Sequence, residues 1–191
     1  MHQQLIDYFN TISPLTKEEE NAIAATINIQ AFPKGHLLLR EGEISLAAYF
    51  VLKGCVRQYY LVDGEERTIN FFAENQWVIS MTSFTAQQPS NHFMECCEEC
   101  FLVVGNREKE EGLYKAFPRL ESISRKVMER VFAEQQELMG AYFTDSPEQR
   151  YLKLRDSRPD LMQRLPQYLL ASYIGIQPES LSRIRKRLAK K

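Results

Sequence analysis

Disulfide pairs, long apolar runs and a leader-like N-terminus are all missing from this sequence, and each absence excludes a class of protein. The four cysteines, Cys55, Cys96, Cys97 and Cys100, are too unevenly spaced for a disulfide framework and fit a reducing cytosol. No apolar run approaches the ~20 residues needed to span a bilayer. Met1-His2-Gln3-Gln4 has no basic region followed by an apolar stretch. We therefore expect no secretory signal and a cytoplasmic protein.

Charge is divided unevenly along the chain, although the formal net charge is only −1. Residues 146–191 contain eleven Lys or Arg and four Asp or Glu, which is a net charge of +7. The preceding 145 residues contain thirteen Lys or Arg and twenty-one Asp or Glu, which is a net charge of −8. This asymmetry indicates two modules with different partners. A basic module is typical of nucleic-acid binders, because Lys and Arg displace counterions from phosphates. A solvated basic tail is the alternative on charge alone.

The first 106 residues change from a helical to a strand-rich pattern. Residues 3–28 are predicted to be helical, with Thr16 and Glu19 spaced as a capping box. Asp63-Gly64 predicts a hairpin, because glycine tolerates the positive φ of a tight turn. Short strands at intervals of about ten residues predict a β-sandwich or barrel. The strand-like runs are His36–Arg40, Ala48–Leu52, Val56–Val62, Thr68–Phe72 and Phe101–Val104.

An apolar stripe with helical spacing follows this region. A helix from about Pro118 to Phe143 would be roughly 39 Å long at ~1.5 Å per residue. A small barrel cannot cover one face of so long a helix, so we expect a partner helix and a homodimer. Packing of the stripe on its own β domain is the alternative. The predicted dimer-helix residues are Leu120, Ile123, Val127, Val131 and Leu138, and Tyr142 continues the stripe.

The strongest local pattern runs from Gln167 to Lys186 and predicts two helices that cross steeply. Ala171 allows close approach, and Gly175 supplies the positive φ of the sharp turn. Pro178 suits the first turn of the second helix, where its missing N–H is no loss. With a basic second helix, the pattern predicts a helix-turn-helix, and an ordinary αα-hairpin is the alternative. The apolar positions are Leu170, Ile174, Ile176, Leu181 and Ile184.

The second helix of this pair is predicted to read DNA. Recognition helices contact bases near their N-terminal end. Arg183 can donate two hydrogen bonds to guanine, and Glu179 can accept one from cytosine. For Arg187 and Lys190, a solvated face is as good an interpretation as phosphate contact. The other predicted DNA-contacting residues, mostly to phosphate, are Gln177, Ser180, Ser182, Lys186 and Lys191.

The β-rich part, the stripe helix and the terminal helix pair together resemble the Crp/Fnr family of bacterial transcription regulators over nearly the whole chain. In the C-terminal part, Gly175 followed by Pro178-Glu179-Ser180-Leu181-Ser182-Arg183 resembles the turn and recognition helix of that family. The glycine-punctuated phrases of the β part are similar to the turns of a cyclic-nucleotide-binding β-roll. These phrases are Phe32-Pro33-Lys34-Gly35, Leu39-Arg40-Glu41-Gly42-Glu43, Tyr49-Phe50-Val51-Leu52-Lys53-Gly54 and Asp63-Gly64-Glu65-Glu66-Arg67.

This resemblance implies an α+β fold with three parts. They are a cyclic-nucleotide-binding-like effector domain over residues 1–116, with its β-roll at about 29–106, a dimerisation helix over 117–144, and a helix-turn-helix DNA-binding domain over 145–191. The last is winged-helix-like with a reduced wing, because only Ser157–Arg164 is available before the helix pair. The resemblance also implies a palindromic operator with half-sites roughly 34 Å apart, and RNA polymerase as a further partner.

The residues with which the family grips cyclic AMP are not found here. Members that bind it carry a Gly-Glu pair and, about ten residues later, an Arg followed by Ser or Thr. Here those positions read Asn75–Ser80 and Ser90-Asn91-His92. A buried phosphate without a cation is poorly compensated. We therefore expect an unidentified effector, and the alternative is a sensor that binds cyclic AMP or a related nucleotide in a non-standard pocket.

Several residues of the roll are candidates for an effector pocket. Large apolar and aromatic side chains there can line a site for an apolar or aromatic effector, or they can simply fill the roll. An effector or a redox event in residues 29–106 would then shift the helix pair between good and poor DNA-binding states. The candidate pocket residues are Trp77, Ser80, Met81, Phe84, Ser90, Asn91 and Phe93.

Metal and enzyme chemistry are not predicted. No cysteine precedes Cys55, so the N-terminal iron–sulfur group of the oxygen-sensing branch has no counterpart. On a strand, Cys96 and Cys100 face one way and Cys97 the other, which favours buried structural cysteines over a metal or redox site with His92. A cupin-type enzyme needs paired metal-binding histidines, which the sequence lacks, and no nucleophile–base motif is present. We expect no enzyme, no cofactor and no bound metal.

Overall fold

The computed structural model describes residues 2–189, so the phosphate contacts predicted for Lys190 and Lys191 lie outside the described residues. In chain order the helices are α1 (His2–Ile12), α2 (Lys17–Thr26), α3 (Met81–Ala86), α4 (Arg107–Ala116), α5 (Pro118–Thr144), α6 (Pro147–Ser157), α7 (Pro159–Arg164), α8 (Gln167–Ile174) and α9 (Pro178–Leu188). The strands are β1 (Ile29–Phe32), β2 (Leu37–Leu39), β3 (Tyr49–Lys53), β4 (Val56–Val62), β5 (Glu65–Phe72), β6 (Trp77–Val78), β7 (Phe93–Cys96) and β8 (Cys100–Val104). None of these described helices is both long and apolar enough to cross a membrane.

Two four-stranded sheets form the predicted β-roll, with strand orders β1-β8-β3-β6 and β2-β7-β4-β5. In the first sheet β8 pairs antiparallel with both β1 and β3. Alternate side chains point to opposite faces of a strand. Val51 and Leu102 therefore face the interior of the roll, whereas Phe50 and Val103 face outward against α1. The strand-rich region expected from the sequence is confirmed, with β1, β6 and β7 as additional short strands.

The chain divides into two compact units. The first, which we call the roll unit, comprises the described residues within 1–58 and 71–133. The second, the C-terminal unit, comprises those within 59–70 and 134–191. The tip of the β4–β5 hairpin thus groups with the C-terminal helices, while α5 contributes residues to both units.

The first turns of α5 belong to the core of the roll unit. Leu120 and Ile123 form a buried cluster with Ile6 of α1 and Ile23 of α2, and Val127 is also fully buried. These three stripe residues are therefore occupied within the chain and are not available to a second copy. The dimer contact predicted for this helix remains a prediction for its later turns, where the predicted residue Leu138 is exposed and Val131 is half-buried.

The helix starts predicted from capping patterns are confirmed. The Thr16 hydroxyl accepts from the Glu19 amide, while the Glu19 carboxylate accepts from the Thr16 amide. Burial of Glu19 opposes its charge, but the Thr16 amide and the Arg119 guanidinium outweigh that effect and lower the pKa of Glu19. At the start of α6, Ser146 and Gln149 form a second capping box.

The C-terminal unit contains a hairpin tip and a set of helices. Asp63 and Gly64 have φ values of 53° and 78°, as the predicted tight turn requires. On the β5 side of this hairpin, the Thr68 amide donates to the Ser172 hydroxyl of α8, and that hydroxyl donates to the Glu66 carbonyl, both at 2.9 Å. The stretch 157–164, the only one available for a wing, is largely occupied by α7, so no strand occurs between residues 105 and 189.

Candidate nucleic-acid interface and effector region

The helix pair α8–α9 has the geometry that the sequence pattern predicts. Gly175 ends α8 with a left-handed φ of 79°, and the Ile176 amide returns to the Ala171 carbonyl at 3.0 Å. Ala171 and Leu181 are fully buried where the helices meet. A Cβ at position 175 would lie 3.1 Å from the Tyr142 hydroxyl. The backbone conformation of the turn therefore favours glycine, and a Cβ would also require a small shift of the Tyr142 side chain.

Arg150 anchors this turn, although the sequence analysis does not single it out. Its Nε donates to the Ile174 carbonyl at 2.9 Å. Its Nη1 donates to the carbonyls of Tyr142 at 2.9 Å and Asp145 at 2.6 Å, at the end of α5. The guanidinium carbon also lies 4.8 Å from the centre of the Tyr142 ring. The one sequence signal for such a role is its spacing, since Arg150 precedes buried Leu154 by one helical turn.

The outer face of α9 presents charged residues to solvent. Glu179, Arg183 and Lys186 are exposed and lie about opposite the buried Leu181. Gln177 is exposed at the N-cap position, where its side chain makes no cap hydrogen bond. Ser180 and Ser182, which are predicted to contact phosphate, are half-buried and therefore less exposed than the charged residues of this face, which they flank.

The basic residues of the C-terminal unit differ in how they are compensated. Several form ion pairs with carboxylates, including Arg187 with Glu148, Lys153 with Asp145, Arg155 with Asp156 and Arg164 with Asp160. Within residues 2–189, Arg183, Arg185 and Lys186 have no such carboxylate partner. Uncompensated positive charge is therefore concentrated on α9. Arg185, which sequence reasoning did not place on the DNA-contacting face, is exposed as well.

The predicted effector residues divide into two groups. Trp77, Met81 and Phe84 line one cavity of about 320 Å³ in the roll unit. The other four do not line it. Ser80 and Ser90 are buried, and the Ser90 hydroxyl donates to the His92 carbonyl at 2.9 Å; Asn91 is exposed and Phe93 is half-buried.

The roll offers little cationic charge for a phosphate. The sequence has no Lys or Arg between Arg67 and Arg107. Arg57 is buried, but it forms an ion pair with Glu95, with a 2.9 Å bond from its Nε. The Ser83 hydroxyl in α3 accepts from the Ser45 amide at 2.8 Å and is thus already engaged. These side chains do not fit the anionic group of a cyclic nucleotide in the usual position.

All four cysteines are buried and form no disulfide. Cys96 and Cys100 share the interior cluster of the roll. The single strand on which the sequence analysis placed them is wrong, because Cys96 ends β7 and Cys100 begins β8. The hydrogen bond with Cys100, together with burial, raises the pKa of the Cys96 thiol. Among residues 2–189 no group of three or more His, Cys, Asp or Glu side chains is arranged to hold a metal ion.

Comparison with known proteins agrees with this geometry. Residues 29–116 match the family model of the cyclic nucleotide-binding domain, and no curated protein matches the chain. The catabolite activator protein of Thermus thermophilus is 19% identical, with a TM-score of 0.57, and the match covers 94% of this chain and 86% of that one. The c-di-GMP-responsive global regulator CLP of Xanthomonas campestris is 16% identical, with a TM-score of 0.69 and 92% of each chain covered. FixK2 of Bradyrhizobium japonicum is 17% identical, with a TM-score of 0.69 and 86% and 85% covered.

Residues 29–116 are therefore similar to the cyclic nucleotide-binding domain, and a helical C-terminal region follows them. The fold of the chain is that of the regulators named above, so the resemblance to the Crp/Fnr family expected from the sequence is confirmed at the level of the fold.

Proposed function

We propose that this protein is a cytoplasmic, dimeric transcription regulator that binds a palindromic DNA operator through α9 and has no enzymatic activity. The observation that carries the proposal is the exposed, uncompensated positive charge of Arg183, Arg185 and Lys186 on the second helix of a helix-turn-helix. Such a helix fits the major groove, where an arginine can read guanine. Similar solved structures include a catabolite activator protein and a global regulator that links signalling to virulence gene expression.

The polar residues on the exposed side of α9 have different roles in this proposal. Arg183 and Glu179 read base edges, since they lie on the exposed face within the first turns of the helix. Lys186, Ser180 and Ser182 contact phosphate. Arg187 must first leave its ion pair with Glu148, so we expect it to contribute less to DNA affinity than Lys186.

A second copy of the chain is proposed to pack on the later turns of α5. Phe132, Met139 and Phe143 are 63%, 65% and 80% exposed, which is unusual for such large apolar side chains. Leu138 of the predicted stripe is also exposed, but at ~3.6 residues per turn it lies roughly a third of a turn around the helix from the face formed by these three side chains. Burial of these side chains between two copies would remove apolar surface from water and place two α9 helices on one operator.

Control by an effector bound to the roll unit completes the proposal, with RNA polymerase as the partner that responds. The absence of Lys and Arg from residues 68–106 and the pairing of Arg57 with Glu95 disfavour cyclic AMP in the usual position. We therefore expect added cyclic AMP to leave both the unfolding temperature and the DNA affinity unchanged. A cyclic AMP response in both would support the alternative, a cyclic-nucleotide sensor with a non-standard pocket.

The decisive experiment is operator selection from a randomised duplex pool with the full chain, followed by affinity measurements over a range of salt concentrations. We expect Arg183→Ala to cost about 1–3 kcal/mol and to relax specificity at one base pair of each half-site. Lys186→Ala should weaken all duplexes alike and reduce the salt slope by about one unit. Arg155→Ala, which removes an exposed arginine from α6, is the matched control and should change neither quantity.

Two results would reject this function. One is the absence of any enriched duplex at low salt, with and without cell extract as a source of effector. The other is enrichment that Arg183→Ala and Lys186→Ala leave unchanged.

A further inference from the structure

The cavity of about 320 Å³ lies outside the roll interior, where a cyclic-nucleotide domain would hold its ligand. Its walls include Trp77 and Val103 from the first sheet and Phe9 from α1. The neighbours of these sheet residues, Val78 and Leu102, point the other way into the core of the roll. The sheet therefore separates the cavity from the roll interior, and residues of the helices α1, α2, α3, α4 and α5 line its other sides.

Two residues of the wall carry polar groups, and one of these groups lacks the partner that buried groups normally have. The indole Nε1 of Trp77 is buried and has no hydrogen-bond partner among residues 2–189. Glu110 of α4 is half-buried, and its Oε1 lies 3.0 Å from the point where Gly105 would carry a Cβ. Burial raises the pKa of Glu110. Trp77 of the wall thus carries an N–H with an unmet hydrogen bond, and Glu110 adds a carboxyl group that forms no ion pair with a Lys or Arg within residues 2–189.

We propose that this cavity binds a neutral, largely apolar molecule of about ten non-hydrogen atoms that carries a hydroxyl group. A volume of about 320 Å³ is at the lower end of the roughly 300–1,000 Å³ range of small-molecule sites, so the cavity suits a small ligand. A hydroxyl both accepts and donates, so it can satisfy the indole N–H and the carboxyl group. Apolar walls such as Phe9, Ile23 and Ile123 suit the rest of the molecule.

Charged ligands fit this cavity less well. Of the residues that the structure describes, Lys109 is the one cationic side chain in the wall, and it is exposed. If Lys109 paired closely with Glu110, it would lower the pKa of that carboxyl group, whereas the pKa is raised. A carboxylate or phosphate ligand would therefore face Glu110 without a compensating cation nearby.

The cavity also touches the helix that carries the proposed dimer contact. Its wall includes Leu120, Ser124 and Met128, which span more than two turns of α5. A ligand that fills the space would restrict these turns. The role of this ligand as an effector rests on the proposed function, whereas the binding of the ligand to the cavity is independent of that function.

Binding is tested with 1-nonanol on the full chain, because the single tryptophan of the sequence lies in the cavity wall. We expect a saturable change in tryptophan emission and a higher unfolding temperature, since a ligand that binds only the folded state stabilises it. Nonanoate has the same chain length and an anionic head, and it should bind at least about tenfold more weakly at neutral pH.

Three variants connect the signal to the cavity. Ile79→Phe adds volume to a wall residue and should weaken 1-nonanol binding by about tenfold or more. Ile44→Phe makes the same change at an exposed position outside the cavity and is the matched control. Glu110→Gln preserves size but removes the charge, so it should reduce the preference for 1-nonanol over nonanoate.

The proposal is overturned by any of three results. They are the absence of a saturable response up to the solubility limit of 1-nonanol, equal binding by wild type and folded Ile79→Phe, and nonanoate binding as tight as that of the alcohol. DNA affinity with and without 1-nonanol is measured separately. Binding without a change in DNA affinity would uphold the site and reject its role as an effector site, and a change would support both.

Discussion

Arg150 is expected to hold the helix-turn-helix of this protein to the end of α5, and its replacement tests that directly. Its guanidinium donates three hydrogen bonds to main-chain carbonyls at 2.6–2.9 Å. Hydrogen bonds from a charged donor contribute about 1.5–3 kcal/mol each when well buried. Arg150 is only half-buried, so about 1 kcal/mol for each bond is the better figure, with roughly 0.5 kcal/mol more from its contact with the Tyr142 ring.

Arg150→Ala should therefore lower the free energy of unfolding by about 3 kcal/mol, a large part of the 5–15 kcal/mol of a typical domain. With an m-value of about 2 kcal/mol/M, the urea midpoint of the C-terminal unit should fall by roughly 1.5 M. Amide exchange at Ile176, whose N–H is bonded within the turn, should accelerate in parallel.

Two companion variants make this prediction specific. Arg150→Lys keeps the charge, but a lysine side chain has no planar fork with which to reach carbonyls on two sides. The variant should therefore lose about two-thirds of the stabilisation that Arg150 provides. Arg155→Ala removes an exposed arginine from the same helix and should leave the midpoint unchanged. Equal midpoints for Arg150→Ala and Arg155→Ala, or a wild-type midpoint for Arg150→Lys, would refute the anchoring role.

Three further predictions follow from other parts of the chain. Gly175→Ala should lower the thermal midpoint and cost about 1–2 kcal/mol, because φ is 79° there. The partners of Glu19, Arg119 among them, lower its pKa in the folded state despite burial. Glu19 therefore stabilises the fold at pH values above its unfolded pKa of about 4.3, and this stabilisation is lost as the pH falls through the lower folded pKa. Urea midpoints from pH 6 to 3 should show this loss in wild type and less of it in Glu19→Gln. Phe143→Glu should shift sedimentation equilibrium from dimer to monomer, whereas Leu46→Glu, also at an exposed position, should not; monomeric wild type would contradict the proposed dimer.

The features that could be predicted from the sequence are those fixed by local backbone preferences. Gly175 and Gly64 stand where a positive φ is needed, and Pro178 stands in the first turn of α9. Capping residues likewise place the starts of α2 and α6. Each of these choices depends on a few neighbouring residues, so the helix-turn-helix and its exposed face could be located without tertiary information.

Features decided by tertiary packing could not be predicted in the same way. Leu120 and Leu138 carry the same side chain on one helical stripe, yet only the first meets α1 and α2 and is buried. Trp77 belongs to a two-residue strand, too short for its alternation to show which face it takes. The three carbonyls bound by Arg150 come together only when α5, α6 and α8 have packed. Periodicity indicates that a residue is apolar or basic, but it does not specify its partner.

Ser172 has a consequence for association between chains. Strand β5 lies at the edge of its sheet, and an edge exposes main-chain groups to which a strand of another molecule can add. The Ser172 hydroxyl accepts a hydrogen bond from the main-chain amide of Thr68 and donates one to the main-chain carbonyl of Glu66, so it engages one donor and one acceptor of this edge. A single side chain of the helix pair proposed to read DNA thus also protects a sheet edge against intermolecular strand addition. Ser172→Ala would remove both hydrogen bonds at once and weaken this protection against the pairing that begins aggregation.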